Sequence, residues 1–332
     1  MRLHHVIFGC LLLLGSSEPL FSQQLDTLPG RPGVSFRGLS VINNDFIWVS
    51  GSKGTVGRST NGGKHFNWLP VKGYENRDFR DIMGFDAVTA LVVAIDSPGL
   101  ILLTIDGGAN WQEVYRNDKQ GVFLDAMDFY NKKYGMAVGD PIDGALLLLR
   151  TEDGGRHWTD VSNALPRPEA GEAFFASSGT NIRMTGKSGF TLVTGGTVSR
   201  TWTDGRLQKL DMLEGGTSTG ANSIGVCGRR RIVVGGDFSR DTLQQGHILV
   251  SHNRGRNWER PEMPTSGYRS CVTAISKRKW IACGTSGVDV SADGGRTWKR
   301  ISTTGYHVVQ RARDGKAVYL AGGNGRLAKL RW

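Results

Sequence analysis

The chain has 332 residues; 41 are Lys or Arg and 30 are Asp or Glu, so its formal net charge at pH 7 is +11. With 39% of its residues hydrophobic, this composition excludes an intrinsically disordered chain and indicates a packed globular protein. The 47 glycines are far above average usage and follow no collagen period, which favours an all-β chain with many tight turns.

Residues 1–22 have the pattern of a secretory signal peptide. The basic residue Arg2 precedes an apolar run at 6–14, and small residues follow that run. The run is too short to cross a bilayer, and no later segment reaches 18 unbroken apolar residues. We therefore predict a cleaved signal peptide at 1–22 and a soluble, periplasmic or secreted protein at 23–332.

The positive charge predicts an anionic partner. An exported cationic protein is expected to meet an acidic glycan, a membrane surface or an acidic patch on an envelope protein. Export argues against a nucleic-acid partner, and we expect the protein to be a monomer.

Three cysteines remain after the predicted cleavage: Cys227, Cys271 and Cys283. An odd number cannot form a complete disulfide framework. Cys271 and Cys283 flank a predicted hairpin turn at 276–279, but the predicted register leaves them out of direct opposition. We therefore expect buried free thiols.

One eight-residue pattern recurs along the chain: Ser or Thr, any residue, Asp or Asn, any residue, Gly, any two residues, and an aromatic residue. Its polar third residue can accept hydrogen bonds from the turn, its Gly takes a conformation closed to other residues, and its aromatic ring covers the turn. The third residues of the five copies are Asn61, Asp106, Asp153, Asn253 and Asp293, and the aromatic residues are Phe66, Trp111, Trp158, Trp258 and Trp298. This pattern is the Asp-box, and we interpret all five copies as structural turns without a catalytic role.

Seven β-type runs, most of them ending in glycine, are spaced evenly along the chain. They lie at 46–51, 90–95, 134–139, 190–195, 231–236, 280–284 and 317–322. About 310 mature residues divided among seven repeats give about 44 each, the size of a four-stranded propeller blade. The 100 residues between the third and fourth boxes contain a degenerate copy at 198–205. We predict a seven-bladed β-propeller.

The last repeat ends at residue 332 without room for a fourth strand. The segment 25–29 resembles the strand that follows the first box, at 67–70. We therefore predict that the N-terminal segment pairs with the last blade, closes the ring and removes an exposed sheet edge.

The first strand of each propeller blade lines the axis, and the loops that enter it lie on the face opposite the boxes. Alignment of the predicted strand starts gives one column around the axis: Arg37, Arg80, Leu124, Phe175, Arg269 and His307. Three Arg and one His in this column would form a cationic funnel able to hold carboxylate or phosphate groups. The alternative is a solvated rim whose arginines pair with acids on adjacent hairpins.

Further candidates surround this funnel. The hairpins between second and third strands carry Asp96, Asp140, Asp143, Asp237 and Asp241, and the long loop before Phe174 carries Glu169 and Glu172. The predicted anion- or partner-binding set is Arg37, Arg80, Arg269, His307, Tyr268, Tyr306, Glu172, Asp140 and Asp237, with core packing as the alternative for the two tyrosines. The acids lack a short oxygen-rich motif, and no HExxH, CxxC or GxSxG motif occurs. We predict no metal and no cofactor.

The boxes, glycine-ended strands and blade length resemble the photosystem II assembly and stability factors of cyanobacteria and chloroplasts, over essentially the whole mature chain. That resemblance implies a non-enzymatic scaffold that holds a membrane-protein subunit through an arginine-rich surface, for which Arg37, Arg80 and Arg269 are the positional candidates. Nothing in the chain indicates photosynthesis. We therefore expect an exported binding or assembly scaffold for an envelope protein or an anionic ligand.

The alternative class is a sialidase-like glycoside hydrolase. Sialidases carry Asp-boxes and bind a carboxylate with three arginines, but they normally have six blades, an Arg-Ile-Pro motif and a Tyr–Glu nucleophile pair. Here residues 31–33 read Arg-Pro-Gly, and only Tyr268 or Tyr306 with Glu172 could supply the pair. The sequence favours a scaffold and leaves enzymatic activity open.

Overall fold

The computed structural model describes residues 23–332, so the predicted signal peptide lies outside the described residues. The fold is almost entirely antiparallel β-sheet, as predicted, with one-turn 3₁₀ helices at Ser162–Ala164 and Gly323–Gly325. The strands form successive blades, each numbered from its innermost strand outward.

The first strand, β1 (Gln24–Leu28), joins the last blade. The first three blades each contain four strands in chain order. Blade 1 consists of β2 (Phe36–Val41), β3 (Ile47–Gly51), β4 (Thr55–Ser59) and β5 (Asn67–Pro70). Blade 2 consists of β6 (Phe79–Gly84), β7 (Ala90–Ala94), β8 (Gly99–Thr104) and β9 (Gln112–Asn117). Blade 3 consists of β10 (Leu124–Phe129), β11 (Gly135–Ile142), β12 (Ala145–Thr151) and β13 (Thr159–Asp160).

Blades 4 and 5 are less regular. Blade 4 consists of β14 (Glu172–Ala173), β15 (Ile182–Met184), β16 (Phe190–Gly196), β17 (Arg200–Thr203) and β18 (Arg206–Lys209). Blade 5 consists of β19 (Thr219–Cys227), β20 (Arg230–Asp237) and β21 (Ile248–Ser251). An isolated bridge between Val250 and Glu259 stands where its fourth strand was predicted. The two blades are joined through one residue pair, Gly195 and Gly220.

The last two blades are again four-stranded. Blade 6 consists of β22 (Cys271–Ala274), β23 (Trp280–Gly284), β24 (Gly287–Ser291) and β25 (Lys299–Ser302). Blade 7 consists of β26 (Val308–Arg311), β27 (Val318–Ala321), β28 (Leu327–Arg331) and, on its outer edge, β1. Leu25 pairs with Leu330 in this antiparallel closure, so the predicted pairing of the N-terminal strand with the last blade is confirmed.

The first strands of the blades enclose an axis. Contacts run from β2 to β6, β10, β15, β19, β22 and β26, and from β26 back to β2. This closed ring is consistent with the predicted seven blades. The seven β-type runs of the sequence form the second strands, which are buried along most of their length.

The hydrophobic core lies between neighbouring blades. Trp48 of blade 1, for example, is fully buried among blade 2 residues such as Phe79 and Val92, and its indole N–H donates a hydrogen bond to the Asp86 carbonyl oxygen at 2.9 Å. Because each blade packs its side chains against the next, adjacent sheets keep a fixed orientation around the axis.

The eight-residue repeats form turns between third and fourth strands, which we call repeat turns. In the second copy, the Thr104 hydroxyl donates to an Asp106 carboxylate oxygen at 2.9 Å and accepts from the Gly108 N–H at 2.9 Å. The same carboxylate oxygen of Asp106 accepts the Asn110 N–H at 3.0 Å. These hydrogen bonds lower the pKa of Asp106 to about 2. Asp106 therefore stabilises its own turn.

The degenerate copy in blade 4 forms a different turn. Asp204 and Gly205 both have positive φ, 48° and 82°, and they join β17 to β18 as a two-residue hairpin. Such a hairpin needs no covering aromatic residue, which explains why the pattern is lost there.

The aromatic residues of the repeat turns differ in burial. Phe66 and Trp298 are 3% and 5% exposed, whereas Trp111, Trp158 and Trp258 are half-buried. The Trp298 indole N–H also donates to the Gly295 carbonyl oxygen at 3.0 Å. Burial of the whole ring is therefore a property of some copies only.

The cysteine register corrects one expectation. Cys271 and Cys283 are directly opposite each other in β22 and β23, because the two strands pair without a register shift as far as Ala274 and Trp280. Both are fully buried, and within 23–332 the three cysteines are free thiols.

Replacement of Trp298 by Ala is expected to lower the free energy of unfolding by about 3–5 kcal/mol, because it removes a buried ring and leaves a cavity. Trp111→Ala, at a half-buried ring of the same motif, is the matched control and should cost less than half as much. Urea denaturation followed by circular dichroism measures both. Equal losses would show that the difference in burial does not govern the stability of the turns.

Candidate functional site

Side chains are aimed at the axis by a β-bulge near the start of the first strand. In blades 1, 2, 3 and 5 the register of the first strand against the second shifts by one residue at this point. The residues inserted by the bulge are Arg37, Arg80, Asp125 and Asn222. A bulge re-aims the extra side chain, so equivalent positions of successive blades converge.

Blades 6 and 7 have equivalent residues at Ser270 and His307. Their N–H groups donate to the carbonyl oxygens of Cys283 and Ala321, both at 2.9 Å, one residue before the regular pairing begins. We call the six residues the bulge ring: Arg37, Arg80, Asp125, Asn222, Ser270 and His307.

All of the bulge ring except Asn222 lines a cavity of about 480 Å³. The cavity lies on the face opposite the repeat turns. Blade 1 shows why: the bulge is beside Phe36, which pairs with Gly51, whereas the repeat turn follows Ser59, at the far end of the same sheet. The predicted location of the funnel on this face therefore agrees with the geometry.

The charges and most of the aromatic rings occupy different sectors of the cavity wall. Blades 1 and 2 contribute arginines, blade 3 contributes two carboxyl groups and Phe123, and blades 4 to 6 contribute the other aromatic rings. Phe238 packs edge-on against Phe175, with ring centres 5.8 Å apart, and against Tyr268 at 6.3 Å. Phe238 is 46% exposed, so this aromatic wall is open to solvent.

The two arginines are only loosely held. The Arg37 and Arg80 guanidinium groups each donate a long hydrogen bond of 3.4 Å, to the carbonyl oxygens of Ser177 and Ala176 respectively. Arg80 also lies 3.5 Å from a partly exposed Asp78 carboxylate. Burial and the neighbouring Arg80 lower the pKa of Arg37 to about 10. An anion in the cavity would relieve this repulsion.

Two carboxyl groups form the wall of blade 3. Asp125 is fully buried, and neither of its oxygens has a hydrogen-bond partner within 23–332, although the backbone N–H groups of Asp140 and Ala176 are near enough to lower its pKa. Asp140 accepts the Phe174 N–H at 2.8 Å. Burial raises the pKa of Asp140 to about 6, and burial together with Asp140 raises the pKa of Asp125 well above its usual value.

Sequence reasoning missed Asp125 and misplaced Arg269. Asp125, and not Leu124, is the blade 3 residue equivalent to Arg37. Arg269 does not line the cavity: it is fully buried and its Nε lies 2.6 Å from an Asp289 carboxylate oxygen. In the structure, a glycine in or at the end of the second strand packs against the carbonyl group of the residue two positions before the cavity-facing residue. Those carbonyl groups belong to Ser35, Phe123 and Tyr268.

Some of the other predicted site residues line the cavity, and the rest are buried elsewhere in the fold. Tyr268, Asp140 and His307 line the cavity, with Arg37 and Arg80. Tyr306 is buried and not part of the lining. Glu172 is buried in a bidentate ion pair with Arg200, so it fixes the long loop of blade 4 and does not overhang the funnel.

Two of the predicted hairpin acids, Asp237 and Asp241, do not line the cavity. Asp237 accepts hydrogen bonds from Arg240 Nε at 2.8 Å and from the Ser218 and Ser239 hydroxyl groups. These hydrogen bonds stabilise its own hairpin. Asp241 accepts the Thr285 hydroxyl at 2.6 Å. Asp237 is therefore removed from the candidate site.

A second, smaller cavity of about 180 Å³ lies towards the repeat-turn end of the axis. Within this lining, Arg183 lies 3.7 Å from Asp128, and both Asp81 oxygens accept backbone N–H groups at 2.8 Å. We regard it as the packed end of the axial channel.

Within residues 23–332, no group of three or more His, Cys, Asp or Glu side chains has the arrangement of a metal site. No helix in that part of the chain is long and apolar enough to cross a membrane.

No protein-family model matches the chain, and no curated protein matches it in sequence. Many solved structures match its fold. YCF48 bound to a D1 peptide is 16% identical with a TM-score of 0.65, covering 92% of this chain and 94% of that one. YCF48 from Cyanidioschyzon merolae is 17% identical with a TM-score of 0.66, covering 92% and 98%. The GH74 enzyme of Niastella koreensis is 10% identical with a TM-score of 0.57, covering 88% and 51%. These likenesses establish a propeller-type fold.

His307 gives the cavity a measurable pH dependence. Its Nδ1 lies 2.9 Å from the Phe36 carbonyl oxygen, and burial, followed by Arg37, lowers its pKa to about 4. The unfolded chain takes up this proton near pH 6.5, whereas the folded protein does so only near pH 4. Acid therefore favours the unfolded state between these two values.

We expect the free energy of unfolding to fall by up to about 3 kcal/mol through His307 alone between pH 6.5 and 4. His307→Gln should flatten the pH dependence by that amount, and replacement of the exposed His65 by Gln is the matched control. Chemical denaturation at a series of pH values measures the three slopes. Identical slopes for the wild type and His307→Gln would contradict the assignment.

Proposed function

We propose that this protein is a non-enzymatic binding scaffold that holds an anionic segment of a protein partner in the 480 Å³ cavity. The observation that carries the proposal is the pair Arg37 and Arg80, two converging guanidinium groups whose one ion pair within residues 23–332 is the 3.5 Å contact of Arg80 with Asp78, beside an open aromatic wall. Guanidinium groups bind carboxylates through paired, charge-assisted hydrogen bonds.

The aromatic wall favours a peptide over a small inorganic anion. Phe175, Phe238 and Tyr268 offer apolar surface that a phosphate or sulfate would not use, whereas a peptide supplies side chains to cover it. The cavity volume lies in the range of small-ligand sites, so a few residues of a chain fill it. A D1 peptide bound to YCF48, a propeller of similar fold, supports this mode of binding.

The cellular setting is part of the same proposal. The signal-peptide pattern at 1–22 and the net charge of +11 favour a periplasmic or secreted monomer whose partner is an envelope protein with an acidic or carboxyl-terminal segment. The resemblance to assembly factors favours a role in holding that partner during its assembly.

A glycoside hydrolase is the second candidate, because Asp125 and Asp140 are carboxyl groups with raised pKa values in a cavity. The nucleophile pair of sialidases has no counterpart among the predicted residues. The Tyr268 hydroxyl donates to Asn222 at 2.9 Å, burial raises its pKa to about 12, and Glu172 is paired with Arg200 outside the cavity. These contacts favour the scaffold.

Arg80→Gln and Arg37→Gln are expected to weaken binding of the envelope partner at least tenfold, which is about 1.4 kcal/mol. Arg116→Gln, at an exposed arginine on the outer strand β9, is the matched control and should bind as the wild type does. Crosslinking of each variant in an envelope extract, followed by quantitative mass spectrometry, measures the recovered partner. A partner recovered equally by all variants would contradict binding in the cavity.

A panel of fluorogenic glycosides separates the two candidates. The scaffold predicts no turnover by the wild type. Turnover that Asp125→Asn abolishes while the thermal stability of the protein is kept would overturn the proposal in favour of the hydrolase.

A further inference from the structure

The cavity holds charges of both signs that do not pair with each other. Within residues 23–332, Arg37 forms no ion pair, and Arg80 forms only the long one with Asp78. Asp125 and Asp140 form no ion pair with any side chain of residues 23–332, although Arg80 is near enough to lower the pKa of Asp125. The positive sector in blades 1 and 2 and the negative sector in blade 3 therefore stand side by side and unneutralised.

Asp125 is the unusual member of this set. A carboxyl group whose two oxygens lack hydrogen bonds costs free energy when it is buried, and native proteins rarely keep such a group without a use for it. The fold provides other ways to satisfy a buried acid, as the two backbone hydrogen bonds of Asp81 show. At Asp125 the bulge instead directs the carboxyl group to the cavity wall.

We propose that Asp125, assisted by Asp140, is a subsite for a cationic side chain, and that the cavity binds a dipolar peptide segment: a carboxylate held by Arg37 and Arg80 beside a Lys or Arg held by Asp125. This inference rests on the proposed function and specifies its ligand class. A peptide that ends in a free carboxylate with a basic residue close to it supplies both groups.

The chemistry of the two sectors supports one ligand that spans them. A purely anionic ligand would leave Asp125 buried without a partner and would bring further negative charge towards Asp140. A purely cationic ligand would add to the repulsion between Arg37 and Arg80. Only a ligand with both charges satisfies every charged group of the wall. The aromatic rings of blades 4 to 6 then cover the remaining side chains of the segment.

The test uses random N-acetylated tetrapeptides in two pools, one with free C-terminal carboxylates and one with C-terminal amides. Both pools are passed over the immobilised mature protein, and retained peptides are sequenced by mass spectrometry. We expect the wild type to enrich Lys and Arg at least fivefold in the carboxylate pool. The enrichment runs against the net charge of +11, which on its own repels basic peptides.

Asp125→Asn keeps the shape of the side chain and is expected to lose this enrichment while still preferring carboxylates to amides. Asp140→Asn serves as a second variant should Asp125→Asn fail to fold. Asp143→Asn, at the exposed tip of the same hairpin, is the matched control. Calorimetry on one enriched peptide and its Lys-acetylated copy should show at least a tenfold loss of affinity with the wild type and less than twofold with Asp125→Asn.

The outcomes separate the two proposals. Retention of carboxylate peptides without selection for basic residues, or the same selection by Asp125→Asn, overturns the cationic subsite and leaves the scaffold proposal standing. Equal retention of carboxylate and amide pools by the wild type shows that the arginines do not bind carboxylates, and it overturns both.

Discussion

The site depends on one constraint of the backbone, the extra residue at the start of the first strand of several blades. A regular strand alternates its side chains between two faces of the sheet, and both faces of a blade are buried against neighbouring blades. A charged residue at such a position would have to be buried between sheets, as Arg269 is with Asp289. The bulge frees one position per blade from this alternation. Arg37, Arg80 and Asp125 consequently meet at the axis without disturbing the packing between blades.

Much of the architecture was predictable because its signals are local. The glycine-ended second strands, the repeat turns and the strand resemblance between 25–29 and 67–70 are properties of short segments, and the structure has the strands and the closure where these segments predicted them. Blade 5 departs from the expected four strands because the segment after Ser251 pairs with β21 through a single isolated bridge, between Val250 and Glu259. No feature of the local pattern marks that loss.

The site was predictable in part. Arg37, Arg80 and His307 were placed correctly in the column because each directly follows an aromatic residue. In blades 3 and 6 the cavity-facing residue comes two positions after the aromatic residue, Phe123 or Tyr268, so the alignment chose a position one residue too early. That single shift placed Leu124 in the column instead of Asp125, and Arg269 instead of Ser270. A bulge has no sequence motif of its own, and a one-residue error inverts which side chains face the axis. The buried pair of Glu172 and Arg200 was also beyond reach, since its partners meet only through the tertiary fold.

Closure of the ring by the N-terminal strand has a consequence for how the chain folds. Arg331 hydrogen-bonds to Gln24 across a separation of 307 residues, and β1 has no other sheet to join. Contacts between residues so distant in sequence carry a large loop-closure entropy and form late, after the local hairpins of each blade. The strand β1 must therefore wait for the last strand to be available. Until then the edge of β28 stays unpaired, and the axial charges are held by an open arc of blades instead of a ring.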